Sequence, residues 1–169
     1  DPLHVSEVTM SADGRYVGFY ATNGELLGGT DETVWTVAVK DMKTGELTVA
    51  SQTSDGVVAD GASHLPALTP DGRHVAFRSD ATNLLDDADE RRARVYLKDL
   101  ETGELELISP RVELPAEPPP NSVSNGVVHT AIDVSNDAES LVFDTNAPLN
   151  GERGSQRRSH VYIWRRPAR

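Results

Sequence analysis

One nine-residue pattern occurs three times along this chain. Residues 11–19 read SADGRYVGF, residues 69–77 read TPDGRHVAF, and residues 135–143 read SNDAESLVF. The first two copies keep an Asp-Gly-Arg centre, whereas the third has Asp-Ala-Glu in its place. A pattern that returns in this way indicates an internal repeat, and a repeat decides the architecture before any residue is considered for chemistry.

A second block follows each copy of the pattern at a constant distance. It reads VAVKD at 37–41, VYLKD at 95–99 and VYIWR at 161–165. Both landmarks step by 58 residues and then by 66. Because two separate blocks keep one offset, we infer that a single supersecondary unit is used three times.

Each unit has short stretches of alternating apolar and polar residues, which is the pattern of β-strands. In the second unit, Pro70, Asp71 and Gly72 predict a tight turn between two strands, and Gly103 predicts a hairpin turn between two others. The strands predicted for this unit are 64–68, 74–78, 94–99 and 105–109.

The other two units follow the same plan, but the third is incomplete. It predicts strands at 127–134, 140–144 and 160–165 and has no fourth strand. The strands predicted for the first unit are 4–10, 15–20, 33–40 and 47–51. Four-stranded antiparallel sheets that repeat every ~40–60 residues are typical of β-propeller blades. We therefore predict an all-β fold, a partial propeller of three units, with helix content below about 10%.

The repeat divides the chain into parts of one propeller domain. Residues 1–51 form blade 1, residues 52–109 form blade 2, and residues 127–169 form an incomplete blade 3. The connection 110–126 contains five prolines and predicts an extended, semi-rigid strap.

Composition excludes several classes of function. A net charge of −11 would repel nucleic acid and an anionic membrane surface, because a protein that binds either of them needs a basic surface. The chain has no cysteine, so disulfides, thiol catalysis and cysteine-based zinc sites are absent. It contains no nucleophile elbow of an α/β-hydrolase, no His-Glu-x-x-His and no phosphate-binding loop, and we predict no enzymatic activity and no cofactor for it.

One acidic loop is the best local candidate for a metal site. Asp86, Asp87 and Asp89 offer the carboxylate oxygens that calcium prefers, within a stretch expected to be a loop. The stretch lacks the glycine and the glutamate of an EF-hand, and the other two units do not repeat it. The alternative is a solvated loop whose charge Arg91 and Arg92 partly neutralise.

Three histidines form a second candidate site. His4, His64 and His129 each belong to the predicted first strand of a unit. Because the innermost strands of a propeller line its central channel, these side chains would converge there on a metal or an anion. The alternative is that they are ordinary strand histidines.

The repeat resembles the TolB-like, WD-like β-propeller family. The resemblance rests on the Asp-Gly-Arg pattern, on SDATNLL at 79–85 and on VYLKDLETG at 95–103. The inter-blade stretch 54–63 also resembles connections in bacterial multi-repeat members. The Asp-Ala-Glu sequence at 137–139 departs from the pattern and leaves the geometry of that turn open.

The resemblance implies a rigid platform rather than a catalyst. Members of the family are often periplasmic or secreted, and some are the propeller domain beside a catalytic domain, as in prolyl-oligopeptidase-type peptidases. We predict a non-catalytic scaffold that presents loops and a channel rim to a protein or peptide partner. The alternatives are an accessory propeller of such an enzyme and a secreted protein that binds carbohydrate or depends on calcium.

Three blades do not close a ring, because propellers have about four to eight. Two arrangements would complete it: a homodimer that forms a six-bladed ring, or further blades of a longer chain. The sequence opens at Asp1-Pro2, which is typical of a mature or trimmed piece.

Overall fold

The computed structural model describes residues 4–22, 34–85, 93–109, 131–145 and 160–167. These residues form eleven β-strands in three antiparallel sheets and contain no helix. Accordingly, nothing in this part of the chain is a helix long and apolar enough to cross a membrane. The all-β fold class predicted from the repeat is confirmed.

Each sequence repeat contributes one sheet, called a blade below, and the strands follow chain order within it. Blade 1 consists of β1 (His4–Met10), β2 (Tyr16–Thr22), β3 (Trp35–Asp41) and β4 (Leu47–Val49). Blade 2 consists of β5 (Ser63–Leu68), β6 (His74–Ser79), β7 (Arg94–Asp99) and β8 (Leu105–Leu107). Blade 3 consists of β9 (Ile132–Val134), β10 (Ser140–Thr145) and β11 (His160–Arg165).

The first strand of each complete blade contains a bulge at an equivalent place. The pairing of β1 with β2 shifts between Ser6 and Thr9, and that of β5 with β6 shifts between His64 and Ala67. Leu65 has a φ of 56° within the second bulge. The bulge explains how Pro66, which has no N–H to donate, is accommodated inside a strand.

The two larger hydrophobic clusters lie between blades. On one face of blade 2, Leu68, Phe77 and Tyr96 pack with Val37 and Val39 of blade 1. Because side chains alternate along a strand, the intervening residues of blade 2 point the other way. Ala76, Val95 and Leu97 accordingly pack with Leu141 and Phe143 of blade 3, so blade 2 is buried on both faces.

The two outer blades each keep one face without a neighbouring blade among the described residues. Phe19, Ala21 and Ala38 form a third small cluster in blade 1. They alternate with residues that pack on blade 2, so they belong to the opposite face. The outer face of blade 3, which is the opposite side of the repeat, carries Val161 and Ile163, which are exposed.

Candidate functional site: two clefts at the hairpin edge

The tight turns of all three blades lie at one edge of the structure, called the hairpin edge below. The turn of blade 2 shows how the repeated nine-residue pattern forms such a turn. The Thr69 hydroxyl donates to Asp71 at 2.6 Å and accepts from the backbone N–H of His74 at 2.9 Å. The N–H of Arg73 donates to the same Asp71 oxygen at 3.0 Å. The repeated hydroxyl and carboxylate therefore shape the turn and are not free for chemistry.

The turn of blade 3 keeps this geometry without its glycine. Ser135 donates to Asp137 at 2.6 Å, and the N–H of Ser140 donates to the Ser135 hydroxyl at 2.9 Å. Ala138 takes the glycine position with a φ of 56°, close to the 76° of Gly72. The question left open by Asp-Ala-Glu is thus answered: the turn is preserved, although a left-handed conformation costs a non-glycine residue ~1–2 kcal/mol.

The arginine of the pattern joins two turns of the same blade. Arg73 donates to one oxygen of Asp99, at the end of β7, through Nε at 3.1 Å and Nη2 at 2.8 Å. Burial acts to raise the pKa of Asp99, but hydrogen bonds from Arg73 and from the N–H groups of Thr102 and Glu101 lower it to about 2. Asp99 therefore stays ionised and holds the hairpin turn that follows it.

Blade 1 repeats the same pair with Arg15 and Asp41, whose Nη2–Oδ2 distance is 2.7 Å. Hydrogen bonds from Arg15 hold the pKa of Asp41 far below its usual range. Blade 3 differs, because Glu139 and Arg165 occupy the positions of the arginine and the aspartate. In blade 3 the positive charge at this edge is that of Arg166, which lies 3.1 Å from Glu106 of blade 2 and 3.5 Å from Glu139.

Two clefts open at the hairpin edge, one at each junction between blades. The first cleft, between blades 1 and 2, has a volume of about 410 Å³, and the second, between blades 2 and 3, has about 560 Å³. They are lined by equivalent positions of the repeat. The first contains Arg15, Tyr16, Asp41, Glu46, Gly72 and Leu100, and the second contains Arg73, His74, Asp99, Glu104, Ala138 and Arg166.

The second cleft is the larger and the more acidic of the two. Its lining includes two arginines, Arg73 and Arg166, and five carboxylates. The carboxylates are Asp99, Glu104, Glu106, Asp137 and Glu139. Such a surface attracts cationic groups of a partner.

The metal candidates from the sequence fall outside the part of the chain that the structure describes. This applies to Asp86, Asp87 and Asp89, and the calcium site stays a prediction. Among the described residues, no group of three or more His, Asp or Glu side chains is placed to hold a metal ion.

The histidine trio also stays a prediction, because His129 lies outside the described residues. His4 is exposed on β1. His64 lies in an aromatic group at the first junction, with its ring 4.8 Å from that of Tyr20 and 6.1 Å from that of Trp35. Burial, together with the charge of Arg78, lowers the pKa of His64, so the neutral ring is favoured there.

Sequence reasoning missed the clefts as sites. Each lining residue was visible only as part of a scaffold repeat, and two blades must pack before a cleft exists. One signal was present in the sequence. Where the pattern has arginine at 15 and 73 it has glutamate at 139, and the position of Leu100 is taken by Arg166. A change of charge at equivalent positions indicates that the side chains there make different contacts in different blades.

Comparison with known proteins supports the fold. A structure from a study of two prolyl endopeptidases matches 99% of this chain with a TM-score of 0.55 and 18% identity, over 21% of its own length. TolB from Acinetobacter baumannii matches 98% of this chain with a TM-score of 0.53 and 14% identity, over 30% of its own length. The chain has the fold of TolB-like propeller blades.

The same comparisons show a partial propeller. The chain spans less than a third of the length of TolB and of the prolyl endopeptidase structure. The β-propeller domain of the Trilobed protease from Pyrococcus furiosus matches 84% of this chain, with 16% identity, a TM-score of 0.49 and coverage of 33% of that chain. No protein-family model matches the sequence, and no curated protein matches it.

Proposed function

We propose that this chain is a non-catalytic propeller module that binds a protein or peptide partner at its hairpin edge. The observation that carries the proposal is the second cleft, about 560 Å³ in volume and lined by charged side chains from two blades. Rigid sheets hold these side chains in place, and a cleft between packed elements is a usual location for recognition.

The chemistry of the cleft favours a partner with a basic segment. Five carboxylates against two arginines leave the lining negative. The contacts of Arg166 with Glu106 and Glu139 show that the cleft accommodates a guanidinium group. A lysine or arginine side chain of a partner would find similar acceptors, and the net charge of −11 would steer such a segment towards the molecule.

A displayed library of random peptides, selected on the purified chain, tests this proposal. We expect the selected peptides to be enriched in arginine and lysine and to bind more weakly as salt increases. The double variant Glu104→Gln/Glu106→Gln should weaken the best peptide about tenfold or more, since each lost charged contact is worth ~1.5–3 kcal/mol. Glu46→Gln, at the position of Glu104 in the first cleft, is the matched control. Selected peptides that are acidic, or that bind the double variant as well as the native chain, would contradict the proposal.

A second candidate function is supported by the likeness to the prolyl endopeptidase structure, of which this chain spans 21%. In that case the blades are part of an accessory propeller beside a catalytic domain. The sequence of the complete parent gene tests it. An adjoining α/β domain with a serine nucleophile elbow is expected, and a parent gene that encodes only blades would rule this role out.

A further inference from the structure

Two carboxylates of the second cleft stand at positions where the first cleft has none. Blade 2 supplies Glu106 at the position that is Thr48 in blade 1. Blade 3 supplies Glu139 at the position that is Arg73 in blade 2. The second cleft therefore receives one additional carboxylate from each of the two blades that form it.

Two further changes in blade 3 bring an arginine and an aromatic ring to the same place. Arg166 takes a position that is apolar in the other two blades, and Trp164 takes one that is lysine there. The guanidinium carbon of Arg166 lies 5.5 Å from the centre of the Trp164 ring. Its Nη2 lies 3.1 Å from Glu106 and its Nε lies 3.5 Å from Glu139. Carboxylates and an aromatic face are the groups that hold a guanidinium group, so all four changes suit the same ligand.

The side chain of Arg166 is held weakly enough to be replaced. It is 28% exposed, and the side chains of Glu106 and Glu139 are 36% and 56% exposed. Ion pairs at such exposure contribute little, because water and salt screen them. The backbone is fixed separately, since the N–H of Arg166 donates to the carbonyl of Glu139 at 2.9 Å. The side chain can therefore turn out of the cleft while β11 remains paired with β10.

We propose that the second cleft recognises an arginine side chain of the partner, and that Arg166 occupies this place until the partner replaces it. This inference rests on the proposed function and names the group that is bound. With Arg166 in place the lining still has five carboxylates against two arginines, so an incoming cation is attracted. A guanidinium group bridges the glutamates of two blades through separate N–H donors, whereas an ammonium group is a compact point charge. Arginine is therefore favoured over lysine.

A titration followed by nuclear magnetic resonance tests the replacement. The probe is an acetylated Gly-Arg-Pro-Ala amide, because Arg166 and Pro167 both line the cleft. Arg166→Gln removes the internal occupant and should bind this peptide about threefold to fivefold more tightly than the native chain, since an exposed ion pair favours the occupied form by about that factor. Arg165→Gln is the matched control. It removes the same charge from an exposed residue that does not line the cleft, and its affinity should stay close to that of the native chain.

The side-chain Nε–Hε signal of Arg166 reports the replacement directly. It should move towards the position of an exposed arginine as the arginine peptide is added to the native chain. The same peptide with lysine in place of arginine should bind several-fold more weakly, and the peptide with uncharged citrulline should show no binding. The spectra also show that each variant is folded.

The outcomes separate this inference from the proposed function. If the arginine peptide binds the native chain and binds Arg166→Gln equally or more weakly, Arg166 is a part of the cleft wall, and the inference is wrong while the proposed function stands. An Arg166 signal that does not move on binding, or equal affinity for the arginine and lysine peptides, would overturn it as well. Binding to Arg166→Gln alone would support it, and binding to neither chain would contradict both proposals.

Discussion

The two junctions between blades are built on the same positions but are packed differently. At the first, the ring of Tyr16 lies directly over Gly72, where a β-carbon would be 2.2 Å from the ring carbon Cδ2. The backbone N–H of Ala12 also donates to the carbonyl of Pro70 at 2.8 Å across this junction. At the second, the smaller ring of His74 and the methyl of Ala138 take the equivalent places.

The second junction lacks the close contact of a ring with a glycine, and an ion pair joins its two blades instead. Pro70 has no N–H to donate there, and Arg166 joins the blades instead through Glu106. One repeat can therefore be held to the next either by tight contact at a glycine or by charge around a wider cleft. The second solution leaves the larger and more acidic of the two clefts, and it is there that we place the binding function.

Gly72→Ala should give the largest loss of stability. The new methyl would collide with the Tyr16 ring, and the residue would also be forced into a φ of 76°. We expect the free energy of unfolding to fall by about 2–4 kcal/mol, the sum of backbone strain and overpacking. Urea denaturation measures it. Gly14→Ala is the control, because it has a φ of 71° but its methyl would meet only Met10 Sδ at 3.8 Å; equal losses in the two variants would contradict the packing argument.

Lys98→Met should have the next largest effect. The Lys98 ammonium is buried and donates to three carbonyls, those of Gln52 at 3.2 Å, Thr53 at 3.0 Å and Gly103 at 2.8 Å. It thereby ties the connection from blade 1 onto the hairpin of blade 2. Removing the donor leaves these acceptors without it, and we expect a loss of about 2 kcal/mol in the free energy of unfolding. Lys40→Met, at the equivalent exposed position of blade 1, should change the urea midpoint very little.

Arg166→Gln should have a smaller effect on stability. The side chain is partly exposed, and surface ion pairs contribute about 0–1 kcal/mol, so the loss should stay in that range and diminish in high salt. Thermal unfolding at low and high salt checks this. A loss of more than about 2 kcal/mol that does not depend on salt would mean that packing holds the second junction as it holds the first.

The smallest expected effect is a pH dependence located at the first junction. The pKa of His64 is lowered by burial and by Arg78, although Asp80 acts in the other direction. The unfolded chain therefore binds the proton more readily. Stability should be complete above the ordinary histidine pKa of about 6.5 and decrease as the pH falls below it. Urea midpoints at about pH 7.5 and about pH 5.5 measure the decrease.

Two histidine variants assign that pH dependence. His64→Gln should make the difference between the two midpoints smaller. His4→Gln changes an exposed histidine of β1 and should leave the difference as it is in the native chain. An unchanged difference in His64→Gln would place the titrating group elsewhere.

Much of the fold could be predicted from the sequence because its signals are local. The strand at 94–99 and the turn at Gly103 follow from alternation and from a residue that tolerates positive φ. The bulge at Leu65 could not be predicted in this way, since its φ of 56° is imposed by pairing with a neighbouring strand.

The candidate site was much less predictable than the fold. Its clefts depend on how blades pack, and the sequence shows only which residues recur. Ala138 illustrates the limit: the sequence shows a lost glycine, whereas hydrogen bonds that the Asp137 carboxylate and the Ser135 hydroxyl accept preserve the turn. The acidic loop and the histidine channel remain predictions.

Because most of the core lies between blades, the unit that is repeated in the sequence is not the unit that is stable. One blade is repeated, whereas stability needs two adjacent blades. A single blade has hydrophobic residues on both faces but nothing to bury them against, so stability belongs to adjacent pairs. Such a molecule behaves as a one-dimensional array, in which every added repeat brings both a sheet and a new nearest-neighbour coupling. Loss of blade 3 would therefore also lower the stability of blade 2, because it would uncover Val95 and Leu97. Unfolding that begins at one end of the chain would in this way propagate to the next blade.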